Sequence, residues 1–201
     1  IGNNHHLSTI RGEDFQMFER DLPGENKSGL SFQKASEEVP LEACETINGS
    51  WGYNTTDRNY KTVRQVLQLL IGAAGRNSNL LLNIGPMPSG AIQPEFTDSL
   101  AAACKWLQQY GESVYGTRGG PLGPQVWGVT KQKDKKVYLH LFKTPDANSI
   151  FLPGINETVK QVTLLGAGSK VKYKQQKEGI IISTEGVVID GPDTVILIDL
   201  K

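Results

Sequence analysis

The run from Thr46 to Asn54 (Thr-Ile-Asn-Gly-Ser-Trp-Gly-Tyr-Asn) sets two large aromatics, Trp51 and Tyr53, among glycines and small polar residues. It is too polar for a core element, and its composition suits a sugar. The C–H faces of a sugar stack on aromatic rings, while its hydroxyls need amide and hydroxyl partners of the kind Asn48 and Ser50 supply. A second reading stands beside this one: a structural turn whose aromatics plug a nearby core. Upstream, Glu13, Asp14, Glu19, Asp21 and Glu25 crowd one stretch together with Arg20. By composition alone these are charges on a solvated loop. His5 and His6 invite a metal, but adjacent residues on a strand point to opposite faces, so one ion does not easily take both. No metal site and no cofactor are expected.

Lys plus Arg number 21 and Asp plus Glu number 21 in 201 residues, so the formal net charge is zero. That balance argues against an electrostatic affinity for nucleic acid or acidic membranes and favours small neutral ligands. The longest apolar run, Val66 to Ala74, is broken by Gln68 and Gly72 and is far shorter than the ~20 residues of a membrane helix. The first residues have neither a basic nor an apolar region, so no signal peptide is read there. Two cysteines, Cys44 and Cys104, make no disulfide framework and are expected as free thiols. Four Asn-x-Ser/Thr sequons, at Asn26, Asn48, Asn54 and Asn156, carry little weight by themselves.

The elements that must position these residues change character near residue 118. Tyr60, Val63, Val66, Leu67, Leu70, Ile71 and Ala74 fall at helical spacing, with Thr56-Asp57 as cap candidates and Gly75 at the close. Directly after comes Asn79 to Ile84, a continuous apolar run ended by Gly85-Pro86, which reads as a strand buried on both faces. A second helix begins at Pro94, carries Phe96, Leu100, Ala103 and Leu107 down one side, and ends before Gly111. Helix, buried strand and helix in that order suit the closing part of a parallel barrel. From Gly119 onward the reading is all β. Strands are expected over Val126–Thr130, Val137–Phe142, Ile150–Leu152, Val159–Leu165, Val171–Tyr173, Ile180–Ser183, Val187–Ile189 and Thr194–Leu200, arranged as a small antiparallel sandwich.

Several motifs agree jointly, in order and spacing, with one family. Glu42-Ala-Cys44-Glu-Thr46-Ile-Asn-Gly-Ser-Trp51-Gly-Tyr53 is followed by Asn79-Leu-Leu-Leu-Asn83-Ile-Gly-Pro86 with Gly90, then Trp106-Leu, then Gly111-Glu-Ser-Val-Tyr115-Gly-Thr-Arg118. Together they resemble the α-L-fucosidases of glycoside hydrolase family 29, over at least residues 14 to 118. The chain departs from the family at Leu41, where a Trp is common.

The resemblance implies residues 1–118 as the C-terminal part of a (β/α) TIM-like barrel and 119–201 as a C-terminal β-sandwich. Whole barrels of that type run to about 250 residues, so the missing N-terminal part of the same enzyme is an expected partner. It implies a retaining glycosidase that removes terminal α-L-fucose from glycans without metal or cofactor, with its Asp nucleophile upstream of Ile1, so this fragment alone should be inactive. The family register of the stretch from Asp14 to Pro23 selects Glu19 as general acid/base, with Glu25 and Glu13 as rivals. An acid in that role must hold its proton until the leaving oxygen needs it, through burial against Phe15 or Phe18 or a neighbouring carboxylate. Substrate contacts are expected from His5, His6, Trp51, Asn48, Tyr53 and Asn83, of which Asn83 could instead only organise the loops. Glu112, Tyr115 and Arg118 are read as structural. The family implies a secreted, periplasmic or lysosomal setting. A rival reading is a non-catalytic carbohydrate-binding or scaffold protein on the same fold, which would need a platform in the β tail such as Trp127 and Tyr138.

Overall fold

The computed structural model describes residues 2–4, 11–32 and 34–201. His5 and His6 lie outside them. The chain forms two compact units, Ile1–Lys105 and Trp106–Lys201.

The first unit is built on a parallel sheet of four strands in sequence order: β1 (Gly2–Asn4), β2 (Phe15–Glu19), β3 (Leu41–Thr46) and β4 (Ser78–Asn83). In register, Asn4 lies opposite Met17, Glu19 opposite Cys44, and Thr46 opposite Asn83, so all four C-terminal ends share one edge. Helix α1 (Val63–Gly75) joins β3 to β4. Its N-cap is Thr62, six residues beyond Thr56. The Thr62 hydroxyl accepts from Gln65 N (3.3 Å), and Gln65 Oε1 accepts from Thr62 N (2.8 Å), a reciprocal capping box. Asp57 is occupied elsewhere, accepting from Ser50 Oγ and Asn59 N at 2.9 Å each. Val66, Leu67 and Ile71 are the buried stripe of α1, and Ala73 packs with Leu22 and Ala43 against Leu69 and Leu80. A Cβ on Gly72 would stand 2.8 Å from Leu22 Cδ1, so the helix approaches the chain closely there.

Among the described residues no helix joins β2 to β3. Residues 20–32 and 34–40 cross instead without helix or strand, folded around Asp21, whose carboxylate accepts from Lys27 N, Ser28 N, Ser28 Oγ and Ser31 Oγ at 2.5–3.2 Å. Burial opposes ionisation of Asp21, but the donors from Ser28, Ser31 and Lys27 outweigh it and hold its carboxyl below the usual range.

The expectation that β4 is buried on both faces is corrected. Leu80 packs with α1, but Leu81, one residue on and therefore on the opposite face, is 43% exposed. The Leu81 face carries no helix layer among the described residues, so the apolar run is richer than the surface that covers it. Helix α2 (Pro94–Tyr110) begins at Pro94 as the sequence predicts.

The second unit holds two antiparallel sheets. One is β5 (Arg118–Gly119), β6 (Gly128–Lys133), β7 (Lys136–Leu141), β12 (Thr194–Leu200) and β9 (Val159–Leu164); the other is β10 (Tyr173–Gln176), β11 (Gly179–Ser183) and β8 (Ser149–Pro153). Leu139, Leu141, Ile196 and Ile198 of the first meet Ile150, Leu152, Ile180 and Ile182 of the second in one core, which makes the unit a sandwich. Val187–Ile189 is not a strand. Both flanks of β11 are already paired, so residues 184–193 cross irregularly, with Val187 and Ile189 against the core and Val188 71% exposed.

Candidate active site

Alternation and register put Met17, Glu19, Cys44, Thr46, Leu81 and Asn83 on one face of the parallel sheet, with Glu19, Thr46 and Asn83 at its C-terminal edge. Glu19 is the last residue of β2 and is partly buried, and Asn4 Nδ2 donates to its Oε2 at 3.3 Å. Phe18 points to the opposite, helix-packed face and is fully buried there, so it cannot shield the Glu19 carboxyl. Phe15, four residues back on the same face as Glu19, packs its ring on Gly2.

The rivals of Glu19 lie elsewhere. Glu25 pairs with Arg76 at 2.8 Å and Lys27 at 2.7 Å, and it lines a cavity of about 160 Å³ with Leu22, Ala43 and Leu80 on the helix-packed side. Glu13 precedes β2 and so sits at the other end of that strand from Glu19.

The Thr46–Asn54 loop is anchored at the same edge as Glu19. Thr46, fully buried, is the hub: its hydroxyl accepts from Asn83 Nδ2 (3.1 Å) and lies within donating distance of Ser50 O (3.0 Å) and Asn48 Oδ1 (3.2 Å). Asn83 also donates to Trp51 O at 2.7 Å, and Ile47 N donates to Asn83 O at 3.0 Å. Asn83 thus organises the loop. Gly85 completes the fit, since a Cβ there would lie 2.5 Å from Gly52 C and 2.7 Å from Tyr53 N. Lys61 ties the base of the loop, donating to Thr46 O (2.7 Å) and pairing with Glu45 (3.5 Å). Trp51 is half-buried, Tyr53 is 36% exposed, and Asn48 is 4% exposed.

Sequence reasoning missed Arg20. It sits in the left-handed region at φ 62°, its Nη2 donates to Gly49 O at 2.9 Å, and its guanidinium carbon stands 5.3 Å from the Trp51 ring centroid. One clamp therefore joins the end of β2 to the aromatic loop. Its position directly after Glu19 was the available signal. Cys44, opposite Glu19, has its thiol pushed up by burial and then by the carboxylates of Glu19, Glu42 and Glu45.

A family model described as alpha-L-fucosidase matches residues 1–112, and one described as the alpha-L-fucosidase C-terminal domain matches residues 121–194. The chain belongs to the α-L-fucosidase family. Human plasma α-L-fucosidase is 30% identical over 165 residues, which cover 77% of this chain and 34% of that protein. Rat tissue α-L-fucosidase is 30% identical over 153 residues, 71% of this chain and 32% of that protein. α-L-Fucosidase isoenzyme 1 of Paenibacillus thiaminolyticus matches in structure with a TM-score of 0.76 and 31% identity, over 94% of this chain and 45% of that one. The chain spans about a third of the length of these curated fucosidase relatives.

Proposed function

We propose that this chain is the acid/base-bearing part of a retaining α-L-fucosidase that removes terminal α-L-fucose from glycans. The observation that carries the reading is the shared sheet edge: Glu19 ends β2 where the Trp51 loop and Asn83 converge, and Glu25 and Glu13 do not reach it. Catalytic side chains of parallel barrels sit at the C-terminal ends of strands. Glu19 protonates the glycosidic oxygen as the bond to fucose breaks, then takes a proton from the water that releases the sugar. The carboxylate that attacks the anomeric carbon is an Asp supplied by a segment outside these 201 residues, and that segment is the expected partner. Trp51 and Tyr53 offer aromatic surface to the sugar, and Asn83 holds Trp51 through the carbonyl of that residue.

The boundary near residue 118 is supported by the gap between the two family matches, which leaves residues 113–120 to neither. A setting outside the cytosol (secreted, periplasmic or lysosomal) fits relatives named plasma and tissue fucosidases. The non-catalytic reading loses its platform, because Trp127 and Tyr138 are 8% and 1% exposed. The exposed Tyr173 and Phe151 do not replace them. Tyr173 pairs with Ile182 on the core face, and Phe151 with Ile181 on the other.

The test is Glu19→Gln in the full-length enzyme. A general acid contributes about 10²–10⁴ in rate, so hydrolysis of fucosides with poor leaving groups should fall by that factor. Nitrophenyl fucoside, whose leaving group needs no proton, should retain its first step. Near-normal rates on the poor leaving groups would remove Glu19 from the role.

A further inference from the structure

A general acid stands beside the glycosidic oxygen, so the rim of the sheet edge that carries it, where the Trp51 loop is anchored through Thr46, faces the part of the substrate that leaves. Next to Glu19 is Arg20, and Arg20 lines a polar cleft of about 270 Å³ with Asn48, Asn59, Tyr60 and Lys61. That volume lies just below the usual range for ligand pockets and suits a single sugar residue. The cleft is rich in donors. Arg20 uses one N–H on Gly49 O and one face on Trp51, its other N–H groups are uncommitted, and no carboxylate among the described residues pairs with it. Asn48 as a residue is 4% exposed; its carbonyl lies within reach of the Thr46 hydroxyl, while its amide nitrogen has no hydrogen bond among the described residues and stays open to the cleft. Tyr60 Oη accepts from Arg58 Nη1 (3.2 Å) and Gln93 Nε2 (3.5 Å), which leaves its own O–H to donate. Lys61 spends its ammonium on Thr46 O and Glu45, and no Asp or Glu lines the cleft.

We infer that this cleft is a leaving-group subsite that accepts a sugar bearing an oxyanion, either a carboxylate or a sulfate. The proposal rests on the assignment of Glu19 as the acid. A guanidinium already oriented by an aromatic ring and a carbonyl gives directed, charge-assisted bonds to such a group, and the Asn48 amide, open to the cleft, adds a second donor.

The test compares kcat/KM of the full-length enzyme on three fucosides whose neighbouring sugar is neutral, carboxylated or sulfated, with nitrophenyl fucoside alongside. The anionic substrates should exceed the neutral one by about tenfold, the scale of one charge-assisted bond. Whichever anion leads identifies the natural group. Arg20→Ala, and Asn59→Asp, which sets a carboxylate on the exposed rim, should each bring the ratio back to about one, whatever the absolute rates do. A wild-type ratio of one or less, or a ratio that survives both variants, overturns the subsite. Failure on nitrophenyl fucoside would sink the fucosidase reading instead. In that case tryptophan fluorescence titrations with glucuronate, glucose 6-sulfate and glucose still decide. Tighter binding of the anions that Arg20→Ala removes supports the cleft, and equal binding overturns it.

Discussion

Cys44 reports on Glu19 from one strand away. Burial and the carboxylates of Glu19, Glu42 and Glu45 push its thiol above the ordinary value of 9.0, whereas Cys104 is exposed on α2. Since the thiolate is the reactive form, an aromatic disulfide reagent at pH 8 should label Cys104 at least about tenfold faster than Cys44. The Cys44 rate should keep climbing with pH above 9.0, and Glu19→Gln should raise it at pH 8 by removing a neighbouring charge. Equal rates, or no response to Glu19→Gln, would contradict the placement of these two side chains. At this scale the sequence was legible where a residue's neighbours are local, as for the glycine-rich run after Thr46, which forms a loop at the end of β3. It was illegible where partners are distant. Nothing local marks Thr46 as the hub for an Asn83 that lies 37 residues on, or Glu25 as spent on an Arg76 that lies 51 residues on.

Elements were legible when their own periodicity fixed them, and less so when a neighbour decided. The spacing placed α1 and α2, yet the N-cap moved to Thr62 because Asp57 is held by the loop it closes. Val187–Ile189 has strand composition but pairs with no strand, and β4 has a core composition but one uncovered face. The outward face of the five-stranded sheet holds a further element-scale consequence. Lys131 on β6 is fully buried, donating to Val114 O at 3.3 Å, and burial brings its pKa down to about 8 although Asp193 opposes that shift. Between about 8 and the ordinary 10.5 the unfolded chain binds the extra proton, so folding stability rises with pH through that window, by at most roughly 3 kcal/mol. Tyr138, raised by burial and then by Glu112, works the other way above pH 10, where the unfolded phenol ionises first. Urea midpoints measured at pH 7.5 and 9.5 should therefore increase in the parent protein, and Lys131→Met should flatten that increase. An unchanged slope in the variant would mean that Lys131 is not the titrating group.

For the whole molecule, what the sequence could not supply is what a third of the family length cannot enclose. A parallel sheet of four strands leaves β1 and β4 with unpaired outer edges among the described residues, and the face that carries Glu19 also carries Cys44 and a 43% exposed Leu81. Strand edges and apolar faces of this kind seek partners, and a retaining mechanism needs a second carboxylate about 5–5.5 Å from the acid. Under the proposed function, the proposed N-terminal segment would meet both demands. The purified 22.0 kDa chain should therefore bind a hydrophobic dye, tend to self-associate, and release no nitrophenol from nitrophenyl fucoside. Co-expression with the N-terminal segment of a fucosidase relative should suppress the dye signal and bring activity, and replacing the nucleophilic Asp of that segment should abolish the activity while leaving the dye signal low. That last contrast separates covering the sheet from completing the chemistry. Full hydrolytic activity in the 22.0 kDa species alone would overturn the split of the catalytic pair, because the attacking carboxylate would then have to come from within these residues.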